Sequence, residues 1–342
     1  MRKFSPIGII IAALIITINQ LTPHALRFIS PLSTQGVSAL GQARVKLERG
    51  ENTYSLKNPT SSFITASYAG APYDNASSYA VIDYESGEVL AEKDLSHKVP
   101  IASLTKILTA ITALDLTSPD EEFTATERAA KVIPTKIAVI PGEKFTLREL
   151  LNASLLTSAN DATEVIRDGV DSKYGADIFV KSMNIKAKFI GLKNSHFENP
   201  QGFDDQNHYS TAEDLAVLSH YALTYYPVIA DIVKKNEQYI PETKNHRRFV
   251  LYNWNGLVGV YPNVYGMKIG NTDDAGMTTI VVSERQGKKI LAVVLGAPGV
   301  LERDLWASHL LDLGFEKSAG LSAIGITPSQ LRAKYATWVP WN

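Results

Sequence analysis

The chain has 342 residues, 45% hydrophobic and 20% charged, with a formal net charge of -1. A balance so near neutral gives no electrostatic case for binding nucleic acid. The absence of cysteine removes disulfides, thiol catalysis and Cys-ligated metals together, and the length, more than one average domain needs, also suits one large enzyme core.

Arg2 and Lys3 precede an uncharged apolar run from about Ile7 to Ile18. That run is short for a membrane span of roughly 20 residues and near the length of a signal-peptide core. Basic residues ahead of it place the rest of the chain outside the cytoplasm. No clear A-x-A cleavage site follows, so residues 1–29 read as a signal peptide or a retained anchor. Residues 30–78 are rich in Ser, Thr, Gly, Asn, Pro and Ala and lack a sustained period, the pattern of a stalk or linker.

A folded domain is expected over residues 79–317. Strand-like runs at Tyr79–Asp83 and Glu88–Glu92 flank Ser86-Gly87, a hairpin signal. A helix is expected from about Ile101, with Pro100 near its start, where proline is tolerated. The middle is helical: "TLRELLNASLLTSANDATEVI" carries helical spacing around a break near Ser158, Gly175 to Ile190 is a second helix, and "STAEDLAVLSHYALTYY" is a third, capped by Ser210 or Thr211. Strand-like stretches follow: "FVLYNW", "VYGMKIG", "MTTIVVSE" and "KKILAVVLGA", the last two joined by the turn "RQGK". A final helix is expected from Leu301 to Leu313, and residues 318–342 form a tail. Strands at both ends around a helical middle give an α+β class: one antiparallel sheet built from both ends of the domain and flanked by helices.

Three short patterns carry chemistry. Ser103 and Lys106 share one face of a helical turn. Near a helix N-terminus, free N–H groups favour developing negative charge on Ser103, and a neutral Lys106 can take its proton. Bringing a lysine from about 10.4 to near 7 takes roughly 4–5 kcal/mol, and Ile101, Leu104, Ile107 and Leu108 offer the burial. The bland alternative is a lysine that snorkels to water. Ser158 and Asn160, two residues apart at a helix break, can relay a proton and hold a substrate carbonyl, or simply start the next helix. Lys268 and Gly270 lie on a late strand. There the lysine can hold a carboxylate, and the glycine lets a peptide lie along the strand edge.

The order S-x-x-K, S-x-N, K-x-G is the motif set of penicillin-binding proteins and class A β-lactamases. The chain resembles the low-molecular-mass penicillin-binding proteins that act as serine-type D-alanyl-D-alanine carboxypeptidases. The likeness extends to "VIDYESGEVLAEKD", "PIASLTKILTA", "LLTSANDAT", "MNIKAKFIGLKNSHFENPQGFDDQNHYSTAEDLA", "GMKIGNTDDAG" and "LLDLGF", in family order. The resemblance implies a β-lactamase/transpeptidase-like fold and removal of the terminal D-alanine from peptidoglycan stem pentapeptides, with β-lactams as acylating inhibitors and no cofactor or metal. It makes Ser103 the acylated nucleophile, Lys106 its base and Ser158 the proton relay to the leaving group. Asn160 orients the peptide, and Lys268 binds the carboxylate region and helps keep Lys106 neutral. Backbone N–H groups of Ser103 and Asn271 form the oxyanion hole.

Two departures stand out. Ile269 occupies the place where the family usually has threonine or serine, and Thr272 is the nearest replacement hydroxyl. Little chain follows Phe315, too little for the extra β-rich domain of the best-known members, so membrane attachment is expected to rest on the N-terminal segment. A D,D-endopeptidase of the same family and a catalytically impaired binding protein are the rival readings. A class A β-lactamase fits less well, since no Glu-x-x-x-Asn loop lies between the second and third motifs. A metallopeptidase is disfavoured because no H-E-x-x-H occurs.

Overall fold

The structure is a computed structural model that describes residues 52–57 and 71–338. The apolar N-terminal run and most of the expected linker lie outside the described residues. Five strands make the main sheet: β1 (Ser78–Asp83), β2 (Val89–Lys93), β7 (Val264–Thr272), β8 (Gly276–Arg285) and β9 (Lys288–Ala297). Their order is β2-β1-β9-β8-β7, and every pairing is antiparallel. The two ends of the domain meet where Ser78 pairs with Leu295 and Asp83 with Ile290.

Both faces of this sheet are covered, so its central strands do not alternate between apolar and polar residues. All six residues of β1 are buried. On one face Ala80, Ile82, Leu291, Val293, Ile280 and Val282 join the core beneath the helical middle. On the other, Tyr79, Val81, Ile290, Ala292, Val294 and Val281 join a second core. The helical middle contains α1 (Lys106–Leu116), α2 (Glu127–Ala130), α3 (Leu147–Leu156), α4 (Asn160–Tyr174), α5 (Ile178–Ile190), α6 (Ala212–Tyr225) and α7 (Pro227–Val233). The second core is closed by α8 (Val300–Ala319), longer than the expected Leu301–Leu313, and by α9 (Pro328–Tyr335) from the expected tail. Leu331 of α9 is fully buried there, and Tyr335 donates its hydroxyl to Asp304 Oδ2 at 2.8 Å.

The expected helix from Ile101 begins instead as a 3-10 turn, Ala102–Thr105, and becomes α-helical at Lys106. Thr211 is the cap of α6, its side chain accepting from the Asp214 N–H. Two small ribbons lie outside the main sheet, β3 (Glu122–Thr124) with β4 (Lys144–Thr146), and β5 (Glu237–Ile240) with β6 (Phe249–Tyr252); of their strands only β6 was expected. The stretch "FVLYNW" is thus a strand of a separate ribbon rather than of the main sheet.

Within the 30–78 segment, Lys57 exchanges backbone hydrogen bonds with Gly87 and Val89, and Tyr54 stacks on His220 with ring centroids 3.6 Å apart. Among the described residues no helix is long and apolar enough to cross a membrane.

Candidate active site

Ser103 sits in the 3-10 turn that precedes α1, half-buried, while Lys106 opens α1 with no exposed surface. One turn of chain brings Lys106 Nζ to 2.7 Å from Ser103 Oγ. The same nitrogen lies 2.8 Å from Asn160 Oδ1 and 2.7 Å from the Gln201 carbonyl oxygen. Both of those oxygens can only accept. They take the two N–H bonds of a neutral amine and leave its lone pair directed at the Ser103 hydroxyl.

Burial lowers the Lys106 pKa from 10.5 to about 7, against the pull of the nearby Asp161 carboxylate. A second buried lysine shows the contrast. Lys186 Nζ lies 2.9 Å from Asp115 Oδ2 and bonds the Tyr221 hydroxyl at 3.1 Å. Lys186 is an ion-paired core lysine; the oxygens hydrogen-bonded to Lys106 are all neutral.

Lys268 is 1% exposed on β7, and its Nζ donates to the Ile269 carbonyl at 2.8 Å. Its pKa is well below the usual lysine value because of burial first, then repulsion from Lys106 and Arg303. Burial is the first cause of the lowered pKa at both lysines.

Asn160 opens α4 after the break that contains Ser158. Ser158 is buried with φ +60, a left-handed backbone at a non-glycine residue. The Asn160 amide is held at both ends, accepting from Lys106 and donating to the Ile133 carbonyl at 3.1 Å. One N–H of its NH2 group remains for a substrate carbonyl.

Gly270 is required by packing on the nucleophile's turn. A Cβ there would lie 2.6 Å from Thr278 Oγ1 and 2.9 Å from the Ser103 nitrogen. This differs from the expected reason, clearance for a peptide, and it places the end of β7 beside the Ser103 backbone. Asn271 is exposed and pairs with Met277. Thr272 lies two residues beyond Gly270, on the same face as Lys268 and opposite Ile269. Its hydroxyl donates to Asp204 Oδ1 at 2.6 Å. This bond ties the β7 end to the loop after Gly202.

Several contributors carried no assigned role in the sequence. Asp161, fully buried, accepts from the backbone N–H groups of Ile137 at 3.1 Å and Val139 at 3.0 Å, pinning the loop whose Ile133 carbonyl holds Asn160. His208 Nδ1 accepts from the Glu198 N–H, so Nε2 carries the proton and donates to Thr105 Oγ1 at 2.8 Å. Thr105 in turn donates to the Ala102 carbonyl at 2.9 Å. Burial lowers the His208 pKa to about 4, which keeps this strut neutral. Ala102 itself has φ +50, so left-handed residues flank the site at Ala102 and Ser158. The stretch "HFENPQGFDDQNHYSTAEDLA" marked the His208 and Gln201 region; nothing local in the sequence marked which atoms face the lysine.

Residues 65–299 match the peptidase S11 family, described as D-alanyl-D-alanine carboxypeptidase. The chain is 32% identical over 247 residues to the D-alanyl-D-alanine carboxypeptidase DacF of Bacillus subtilis, covering 71% of this chain and 62% of that protein. It is 31% identical to DacB2 of Mycobacterium tuberculosis, covering 71% and 84%. Among solved structures, penicillin-binding protein D2 of Listeria monocytogenes in its ampicillin-bound form superposes with a TM-score of 0.62 at 31% identity, covering 70% of this chain and 97% of that one. DacD of Francisella tularensis superposes with a TM-score of 0.65 at 25% identity, covering 70% of each chain. The motif order, the antiparallel sheet built from both ends of the domain and these matches agree, and the chain belongs to the peptidase S11 family of D-alanyl-D-alanine carboxypeptidases.

Proposed function

We propose that the protein is a serine acyl-enzyme carboxypeptidase that removes the terminal D-alanine from peptidoglycan stem pentapeptides and is acylated by β-lactams. The observation that carries this reading is the Lys106 amine, 2.7 Å from Ser103 Oγ and, among the described residues, hydrogen-bonded otherwise only to two neutral acceptors. Ser103 Oγ attacks the carbonyl carbon of the penultimate D-alanine as its proton passes to Lys106 Nζ. The backbone N–H groups of Ser103 and Asn271 receive the developing oxyanion. The C–N bond then breaks, and the proton passes from Lys106 through Ser158 to the departing amine. Water attacks the resulting ester, gives its proton back toward Ser103 Oγ and frees the shortened peptide. Lys268 meets the substrate carboxylate, whose negative charge favours the protonated form of that lysine.

In this reading residues 1–29 export the chain or anchor it at the outer face of the bacterial membrane. Residues 30–78 connect that segment to the catalytic domain, and residues 318–338 close the fold on the far face of the sheet. The test is release of free D-alanine from a stem pentapeptide. Release supports the reading. Its absence from a chain that still binds penicillin covalently overturns it, and cleavage of a cross-linked dimer instead identifies an endopeptidase.

Ile269 has a measurable consequence. The missing hydroxyl removes a charge-assisted hydrogen bond worth about 1.5–3 kcal/mol. The Ile269→Thr variant is expected to be acylated by penicillin roughly tenfold to a hundredfold more efficiently by the same measure. An unchanged second-order acylation constant would show that the hydroxyl has no part in binding here.

A further inference from the structure

Two of the three partners of Lys106 Nζ decide where its lone pair points, because the third, Ser103 Oγ, is the reacting atom. One is Asn160, a side chain of α4. The other is the Gln201 backbone carbonyl, which belongs to a loop and has no regular element to hold it. The Gln201 side chain is 3% exposed, and its Nε2 donates to Glu164 Oε2. Glu164 lies one turn beyond Asn160 on α4, on the same face, and is 5% exposed.

A carboxylate buried so completely needs partners. Arg128 Nε of α2 lies 3.0 Å from Glu164 Oε1, and Arg167 Nη1 lies 3.8 Å from it. Arg128 is held in turn by Asp168, one further turn along α4. A continuous line of contacts thus runs from Arg128 through Glu164 and the Gln201 amide to the loop carbonyl that grips the lysine. The loop is also tied at Pro200, whose carbonyl accepts from Thr109 at 2.7 Å, and at Gly202, whose N–H reaches Asn199 Oδ1 at 2.8 Å. The Gly202 bond anchors the far end of the 201–202 peptide, and the Gln201 side chain anchors the Cα from which that peptide departs.

We propose that Gln201 and Glu164 are positioning residues: their side-chain hydrogen bond sets the Gln201 carbonyl against Lys106 Nζ and so aims the amine at Ser103. This rests on the role of Lys106 given under Proposed function. An ordinary buried polar pair would contribute to stability alone; a positioning pair controls the acylation step and leaves initial binding untouched.

The experiment uses the full chain and a fluorescent penicillin, resolving the non-covalent binding constant from the first-order acylation constant, with thermal unfolding measured in parallel. Gln201→Glu sets two carboxylates against each other and is expected to slow acylation at least tenfold, with binding unchanged within about twofold. The exchange variant Glu164→Gln/Gln201→Glu restores an amide–carboxylate bond in the opposite sense and still offers Arg128 an acceptor, so it should recover acylation to within about threefold of wild type. Gln201→Met, free of like-charge repulsion, should slow acylation about three- to tenfold and decides the matter where Gln201→Glu does not fold. Variants that fold and acylate at the wild-type rate, or an exchange variant that folds without recovery, overturn the proposal. A wild-type chain that never acquires the label overturns the parent reading and this one with it.

Discussion

Replacing Lys106 with methionine is expected to slow acylation of Ser103 by penicillin about 10²- to 10⁴-fold, the usual contribution of a positioned general base. Ser103→Ala, which removes the attacking atom, should abolish labelling altogether. The pH dependence separates a base from a mere spacer. With its pKa lowered to about 7 by burial, Lys106 is an ammonium in acid. Its three N–H bonds then fill all three neighbouring oxygens, and no lone pair faces Ser103. Acylation in the wild-type protein should therefore rise about tenfold per pH unit below 7 and level off above it. The Lys106→Met variant should be flat across this range. A wild-type profile that is flat through pH 7, measured as the acylation constant between pH 5 and 9, would show that the lysine does not supply the base.

Stability must follow the same proton with a definite sign. An unfolded chain holds a proton on Lys106 up to about 10.5, whereas the folded chain has released it by about 7. Between those limits the unfolded state binds more protons, so raising the pH stabilises the fold. The total is roughly 5 kcal/mol, fully lost below pH 7 and regained by pH 10.5. Denaturant titrations should show the slope of stability against pH in this window falling in Lys106→Met. The methionine variant should also gain stability near neutral pH from the removed charge. That gain is offset by the carbonyls of Asn160 and Gln201, which lose a donor at about 1–3 kcal/mol each.

The second large effect is expected at Gly202. Its φ of +87 is a conformation that L side chains rarely adopt. A Cβ there would lie 2.9 Å from Thr105 Oγ1 and closer still to the Ala102 carbonyl oxygen. That carbonyl cannot move aside freely, since it accepts the Thr105 hydroxyl and belongs to the residue preceding the nucleophile. Gly202→Ala therefore combines a backbone penalty of about 1 kcal/mol with overpacking of about 1–3 kcal/mol. It should lower stability by about 2–4 kcal/mol in denaturant titrations. Acylation should also fall about a hundredfold, because an ångström's displacement of a reacting atom has that consequence. Gly142 is the control: its φ is +93, but no atom lies within 4 Å of an added Cβ. Gly142→Ala should show the backbone penalty alone and acylate normally. Equal losses at the two sites would mean that crowding against Ala102 has no part in the effect.

The elements legible in the sequence were those with length. β8, β9, α6 and the helices on either side of Ser158 carry enough periodic residues to declare themselves. β3 and β4, of three residues each, are too short for alternation to register. The left-handed Ala102 was invisible because alanine gives no signal for positive φ, so the turn bearing Ser103 was read as the first turn of the helix. At the site, the pairing of Ser103 with Lys106 followed from a three-residue spacing. The Gln201 carbonyl, the Asp161 clamp and the His208 strut come from segments 55 to 105 positions away, and a backbone carbonyl has no side chain to advertise it. Burial as the source of the low Lys106 pKa was legible in Ile101, Leu104, Ile107 and Leu108, but its completeness was not.

The meeting of β1 with β9 joins Ser78 to Leu295 across roughly 200 residues of intervening chain. Such non-local pairing forms slowly, because a large loop must close before any contact rewards it. Strand β7, which backs the Ser103 turn at Gly270, also arrives late in synthesis. A chain emerging from its N-terminus therefore carries its nucleophile for most of its passage without the wall that shapes it, and reactivity is switched on only when the last strands are delivered.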